Sequence, residues 1–256
     1  MRIMKAIISS ADMGKTARFL SFFGYVPIKR KIIQQDDAVL LNLILPVSNC
    51  NYEKTVQKAK KFLNKHGIKD ILFEKDIKKK YAQDFVMDYH LVDGHKVMIS
   101  KLRESMLRVF KLYGFKKGKL RLALAGNHID PELKEILKAN QEYFQFLVFQ
   151  GKETPEKQEI ADEFYDEFGI NTVFKEKLED ADCDMLLFTD GLLESYGKDV
   201  KFIFNISDRP LKAKIPVLND YHLGLPADIS KFNCRHVELC EMMEKEYPLK
   251  GFAWNN

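Results

Sequence analysis

The sequence predicts a two-part α/β protein whose C-terminal part is a doubly wound, mostly parallel sheet. Three observations carry this. Strand-length apolar runs alternate with helical patterns from residue 120 to residue 218. Those runs are apolar on both faces, as strands covered by helices on both sides must be. Composition and charge both change at Lys116-Lys117-Gly118-Lys119. The expected division is therefore a basic α/β domain over 1–117, ending in a linking helix at 101–113, and an acidic domain over 118–256.

The elements follow in order. Residues 3–9 suit a buried strand, and residues 13–23 a helix that Gly24 closes. Strands at 25–33 and 38–45 form a hairpin through the polar residues 34–37. Residues 52–66 are an amphipathic helix with Val56, Ala59 and Leu63 at helical spacing and Gly67 past its end. A strand at 68–73, a short helix at 78–86 and a loop at 88–94 precede the helix at 101–113. In the second part, a strand at 120–125 ends in Gly126. Asp130-Pro131 and Thr154-Pro155 each offer an N-cap followed by proline at the first helical position. The helices they open run to about residue 140 and to Phe168, and Gly169 closes the second. Strands at 144–149, 170–174, 184–189, 201–206 and 215–218 complete the sheet, with a terminal helix around 237–245.

Composition bounds the function. With 46% hydrophobic and 30% charged residues the chain belongs to the globular class. No apolar run reaches the roughly 20 residues that span a bilayer. The opening MRIMKAIISS lacks the pattern of a secretory signal. Cys50, Cys183, Cys234 and Cys240 are too scattered for a disulfide framework or a zinc site. The expectation is a cytoplasmic protein with no membrane partner and no bound metal. His236 and Cys240 share a helical face with Cys234 nearby, but no second ligand pair lies close in sequence, so the group reads as structural. Residues 1–117 hold 24 Lys and Arg against 11 Asp and Glu, a net of +13, whereas 118–256 hold 17 against 26, a net of −9. Such asymmetry marks either a nucleic-acid surface or two halves, in one chain or an oligomer, whose fields complement each other. Lys54, Lys58, Lys61 and Lys65 along one helical face, then Lys78-Lys79-Lys80, supply phosphate contacts for the first reading. No aromatic platform or recognition helix accompanies them, so nucleic acid is the less favoured partner.

Two phosphate-binding motifs nearly form. Ser9-Ser10-Ala11-Asp12-Met13-Gly14-Lys15-Thr16 matches a P-loop except that Ser9 stands where the first glycine belongs. Gly14, Lys15 and Thr16 are thus weak phosphate-loop candidates, and a simple helix cap is the plainer reading. After the strand at 120–125, Gly126-Asn127-His128-Ile129-Asp130-Pro131 occupies the place of the Rossmann G-x-G-x-x-G turn. Only its first glycine is present. His128 replaces the glycine that lets backbone approach a pyrophosphate, and Pro131 the one that permits close helix packing. Gln150 stands where an acidic residue would hold a ribose. Conventional NAD(P) binding is disfavoured, and the cofactor is left unassigned.

In doubly wound sheets ligands bind beyond the carboxyl ends of the strands. Those ends supply Gly126, Asn127, His128, Gln150, Lys152, Thr189, Asp190, Ser207, Asp208 and His222 as ligand-cleft candidates, with Asn205 and Asp220 beside them. A phosphate-containing small molecule fits this set. For each residue singly, an ordinary turn role is the simpler explanation. His90 and His95 flank Asp93-Gly94, a D-x-H arrangement equally explained by a turn.

The order of elements over 118–220, from Leu120 through Gly126, Asp184 to Gly191 and Lys201 to Asp208, is similar to that of shikimate dehydrogenase and glutamyl-tRNA reductase. The similarity is one of element order. It maps no catalytic residue, and no family is assigned on it. Three functional classes follow: a Rossmann-like small-molecule enzyme relative with a degenerate nucleotide fingerprint, related in fold to NAD(P)-dependent oxidoreductases; a non-catalytic ligand-binding or scaffold protein; and a nucleic-acid-associated protein using the basic half. A homo-oligomer is compatible with all three.

Overall fold

The computed structural model describes residues 5–11, 28–35, 38–46, 51–126, 129–191, 193, 195–207 and 210–255, and the statements below refer to these. The helix expected at 13–23 and the residues Gly14, Lys15 and Thr16 lie outside them. So do Asn127, His128, Asp208 and Cys50.

The chain divides into two compact units, each made of two segments. One comprises Met1–Gly94 and Leu223–Pro248, the other His95–His222 and Leu249–Asn256. The division thus falls at Gly94 and His95 and not at 117 and 118, because the expected linking helix is longer than its apolar pattern and belongs to the second unit. Redistributing the charges accordingly gives the first unit a net of +5 (20 Lys and Arg against 15 Asp and Glu) and the second −1 (21 against 22). Most of the asymmetry seen along the sequence disappears, chiefly because residues 95–117, with a net of +6, fold with the acidic half, and less because residues 223–248, with a net of −2, fold with the basic one.

The first unit holds a five-stranded sheet of β1 (Lys5–Ala11), β2 (Lys29–Gln35), β3 (Ala38–Pro46), β4 (Asp70–Phe73) and β5 (His90–Leu91), in the order β2-β3-β1-β4-β5. β2 pairs antiparallel with β3, as the hairpin reading requires, and the other pairings are parallel. β5 lies inside the segment expected to be a loop. Helices α1 (Tyr52–Lys65) and α2 (Lys75–Phe85) carry Val56, Ala59, Leu63, Ile77, Tyr81 and Phe85 into one core with alternate residues of the strands.

The second unit begins with α3 (His95–Tyr113), six residues longer at its start than its strongest apolar stripe. Its sheet comprises β6 (Leu120–Ala125), β7 (Phe144–Gln150), β8 (Asn171–Lys175), β9 (Met185–Phe188), β10 (Phe202–Asn205), β11 (Val217–Leu223) and β12 (Leu249–Asn255). Their order is β12-β11-β10-β9-β6-β7-β8, and the pairings from β8 through β11 are parallel. Numbered from β6, this is the 3-2-1-4-5-6 order of the Rossmann fold with one further strand, and the strand order reverses between β6 and β9. α4 (Pro131–Ala139) and α5 (Pro155–Phe168) begin at the two prolines, and Gly169, at φ +66°, caps α5. β11 continues five residues beyond its expected end at 218. Its later residues run past the last β10 pairing at Leu218. In the first unit, α6 (Ala227–Ser230) and α7 (His236–Met243) complete the chain's helices among the described residues.

Candidate functional site

The reversal between β6 and β9 brings Gly126 beside Thr189 and Asp190. Gly126 has φ +148°, and a Cβ built on it would lie 1.8 Å from Thr189 Oγ1 and 3.1 Å from both Asp190 N and Asp190 Oδ1. The Thr189 hydroxyl and N–H both reach the Ala125 carbonyl, at 3.3 and 2.8 Å. The glycine is needed here as expected, yet the space its missing side chain opens is filled by Thr189. In a dinucleotide site that space admits the pyrophosphate.

The next strand end is different. Gln150 closes β7, and its carbonyl accepts a hydrogen bond from Lys157 Nζ at 2.7 Å. Lys157 is only 5% exposed. It stands in the first turn of α5, where the Thr154 hydroxyl accepts from its backbone N–H. Burial pushes its ammonium below the ordinary lysine range, against the opposing pull of the Asp190 and Glu156 carboxylates. Gly151, at φ +86°, leaves room beside the amine: the one described atom within 4 Å of a Cβ built there is Lys157 Nζ, at 3.7 Å. Lys152, the lysine singled out from sequence, is exposed. The buried one lies five residues on. Its signal was present, because Lys157, Ile160, Ala161 and Phe164 fall at i, i+3, i+4 and i+7, so the lysine sits on the apolar stripe.

At β10 the polar residues are joined to one another. Asn205 Nδ2 donates to Asn219 Oδ1 at 2.5 Å, and the Ser207 hydroxyl and N–H both donate to Asn205 Oδ1, at 2.6 and 3.1 Å. Asn219 also exchanges hydrogen bonds with the Leu211 backbone in both directions. Asn205, Ser207 and Asn219 are buried and hold the segment after β10, which is the turn role. Asp220 and His222 lie within β11, not in a turn, because the strand runs on to Leu223. The His222 ring is exposed and passes 3.8 Å from the Cβ position of Gly251.

His95 opens α3 and joins two of these ends. Its Nε2 lies 2.8 Å from Asp130 Oδ2 and its Nδ1 lies 3.1 Å from the Ile206 carbonyl. Both partners are acceptors, so only the imidazolium can donate to both. The residue thereby links the segments after β6 and β10. Asp130 precedes α4 but makes no side-chain cap, its carboxylate being turned to His95.

Among the described residues no cluster of His, Cys, Asp and Glu has the makings of a metal site, and no helix is long and apolar enough to cross a membrane. His236 Nδ1 accepts from the Leu223 N–H, and Cys240 Sγ donates to the Lys245 carbonyl. Burial pushes the Cys183 thiol up to about 11 and raises Cys234 further, so neither is a ready nucleophile.

No protein-family model matches the chain, and no curated protein matches it in sequence. Solved structures similar to it are dehydrogenases at low identity. L-tryptophan dehydrogenase from Nostoc punctiforme aligns over 78% of this chain at 11% identity and a TM-score of 0.34, and the chain spans 62% of that protein's length. A shikimate 5-dehydrogenase-like protein aligns over 78% of this chain and 76% of its own at 9% identity and a TM-score of 0.29. Shikimate dehydrogenase 1 from Peptoclostridium difficile aligns over 79% and 77% at 9% identity and a TM-score of 0.28. The assignment to a Rossmann-like α/β fold rests on this chain's own strand order and pairing.

Proposed function

We propose that the second unit binds a small molecule at the carboxyl ends of β6 and β7, and that the protein is a Rossmann-like enzyme relative with a remodelled nucleotide cleft. The reversal of strand order between β6 and β9 carries the reading, because it is there that neighbouring connections part to opposite faces and leave a crevice. Thr189 over Gly126 disfavours a conventional dinucleotide, whose pyrophosphate needs that space. A smaller, phosphate-containing molecule fits the open side toward Gly151. Both His95 ring nitrogens are engaged by Asp130 and the Ile206 carbonyl, which supports a positioning role for that residue. The buried thiols of Cys183 and Cys234, which form no disulfide among the described residues, fit a cytoplasmic location.

A thermal-shift series with NAD, NADP, ATP, adenosine, S-adenosylmethionine and inorganic phosphate tests the reading. A ligand at about 100 times its dissociation constant adds about 2.7 kcal/mol of stability, a clear shift. We expect shifts from small phosphate-bearing molecules, weakened by Gly151→Leu. A series that moves with none of them removes the ligand-binding reading. The nucleic-acid reading loses its main support in the charge of +5 on the first unit. It would need binding that weakens steeply with salt.

A further inference from the structure

We infer that Lys157 is the anion-binding group of this cleft, a buried ammonium that takes the phosphate of the ligand. The inference rests on the cleft reading above and deepens it. A lysine 5% exposed whose amine donates to a single neutral carbonyl is an unusual thing to keep in a core. No ion pair accompanies it, and two of its three N–H donors find no acceptor among the described residues. An isolated buried charge is expensive, and proteins compensate it with a counter-charge or lose the proton. Methionine or leucine would fill the same stripe on α5 without that cost.

The surroundings say what the counter-charge is. The Gln150 carbonyl holds one donor and fixes the amine at the end of β7. Gly151 leaves the amine beside open space: apart from Gly151 and its chain neighbours, no other described atom lies within 4 Å of where a side chain would stand. Lys157 is also in the first turn of a fourteen-residue helix, whose N-terminal dipole favours an anion. A small oxyanion entering over Gly151 meets the two unused donors and the helix dipole together. Asp190 and Glu156 are the carboxylates acting on Lys157, and their influence is outweighed by burial. An anion at the amine therefore reverses the balance and holds the proton. Binding must be coupled to proton uptake wherever the free amine is partly neutral.

Sulfate and inorganic phosphate are the probes, followed by titration calorimetry on the full chain. Sulfate keeps its charge between pH 6 and pH 10, so any pH dependence belongs to the protein. We expect sulfate affinity to fall as pH rises, by up to about tenfold per unit once the free amine deprotonates. The heat of binding should vary with the buffer's ionisation enthalpy as protons are taken up. Lys157→Met and Lys157→Gln should each lose sulfate and phosphate binding at least tenfold while keeping the wild-type circular dichroism. Equal binding by wild type and both variants overturns the inference, and so does wild-type binding without proton uptake across that range. Adenosine separates the two readings. A shift with adenosine but none with either anion leaves the cleft standing and removes Lys157 from it, whereas no shift with any of them removes both.

Discussion

Gly126 and Thr189 are locked together: the threonine hydroxyl stands 1.8 Å from where any other residue at 126 would carry its Cβ. Gly126→Ala should therefore destabilise the protein by about 3 kcal/mol, from overpacking and from a backbone angle that suits glycine. Thr189→Ala removes the hydroxyl and should recover part of that loss in the double variant. Chemical denaturation of the four proteins measures it. Strict additivity would mean that the two positions do not touch.

Lys157 makes a prediction about pH without any ligand. Its proton is held less tightly in the folded chain than in the unfolded one. Between the lowered folded value and the ordinary lysine value of about 10.4, the unfolded chain binds more protons, so stability rises with pH. Below that window the folded protein bears the full cost of the buried charge. Lys157→Met should be more stable than wild type at neutral pH by about 1 kcal/mol and should lose this rise. Urea midpoints at pH 7, 8.5 and 10 would show it, and parallel curves for the two proteins would contradict it.

The amino ends of the same central strands are held by a largely buried ion pair. Arg121, on β6, grips Asp184, just before β9, through two side-chain bonds of 2.9 and 3.0 Å, and Lys201 adds a third. Burial works against the Asp184 carboxylate, but the Arg121 bonds outweigh it and hold its pKa below the usual range. The stability this confers is present above the unfolded value near 3.9 and is lost as pH falls through the lower folded value. Asp184 is 9% exposed beside Arg121, so Arg121→Ala removes the main partner of a nearly buried carboxylate and should cost roughly 3 kcal/mol at pH 7. Acid titration of wild type and variant should converge as Asp184 protonates.

Asn205 and Asn219 should matter to local order more than to ligand binding. Asn219→Leu strands the Asn205 amide and the Leu211 backbone, and should cost about 2 kcal/mol. The readout is faster proteolysis between residues 207 and 214 with ligand affinity unchanged. Lost affinity with an unchanged cleavage rate would return these residues to the cleft.

Much of the second unit was legible because its signals are local. Thr154-Pro155 and Gly169 state where α5 starts and stops, and the apolar run at 120–125 is β6 residue for residue. What failed to show was mostly long-range. β12 pairs with a strand 26 residues earlier, and its residues 249–255 carry no turn signal of a hairpin. β11 reads as ending at 218 because Asn219, Asp220 and His222 are polar, yet Asn219 is buried with its hydrogen bonds made, and Asp220 and His222 share the less covered face of the strand. Lys152 drew attention by lying next to a strand end. Lys157 was passed over although its place on the stripe of α5 was visible.

The chain passes between its two units after residues 94, 222 and 248. During synthesis the first unit must therefore wait. Its sheet emerges early, but α7 and the buried pair of Arg235 and Glu238 leave the ribosome only after β6 to β11 of the second unit have been made. The second unit waits in turn for β12. A stop codon near residue 222 would thus leave both units unfinished rather than sparing one, because residues 223–248 belong to the first and 249–256 to the second.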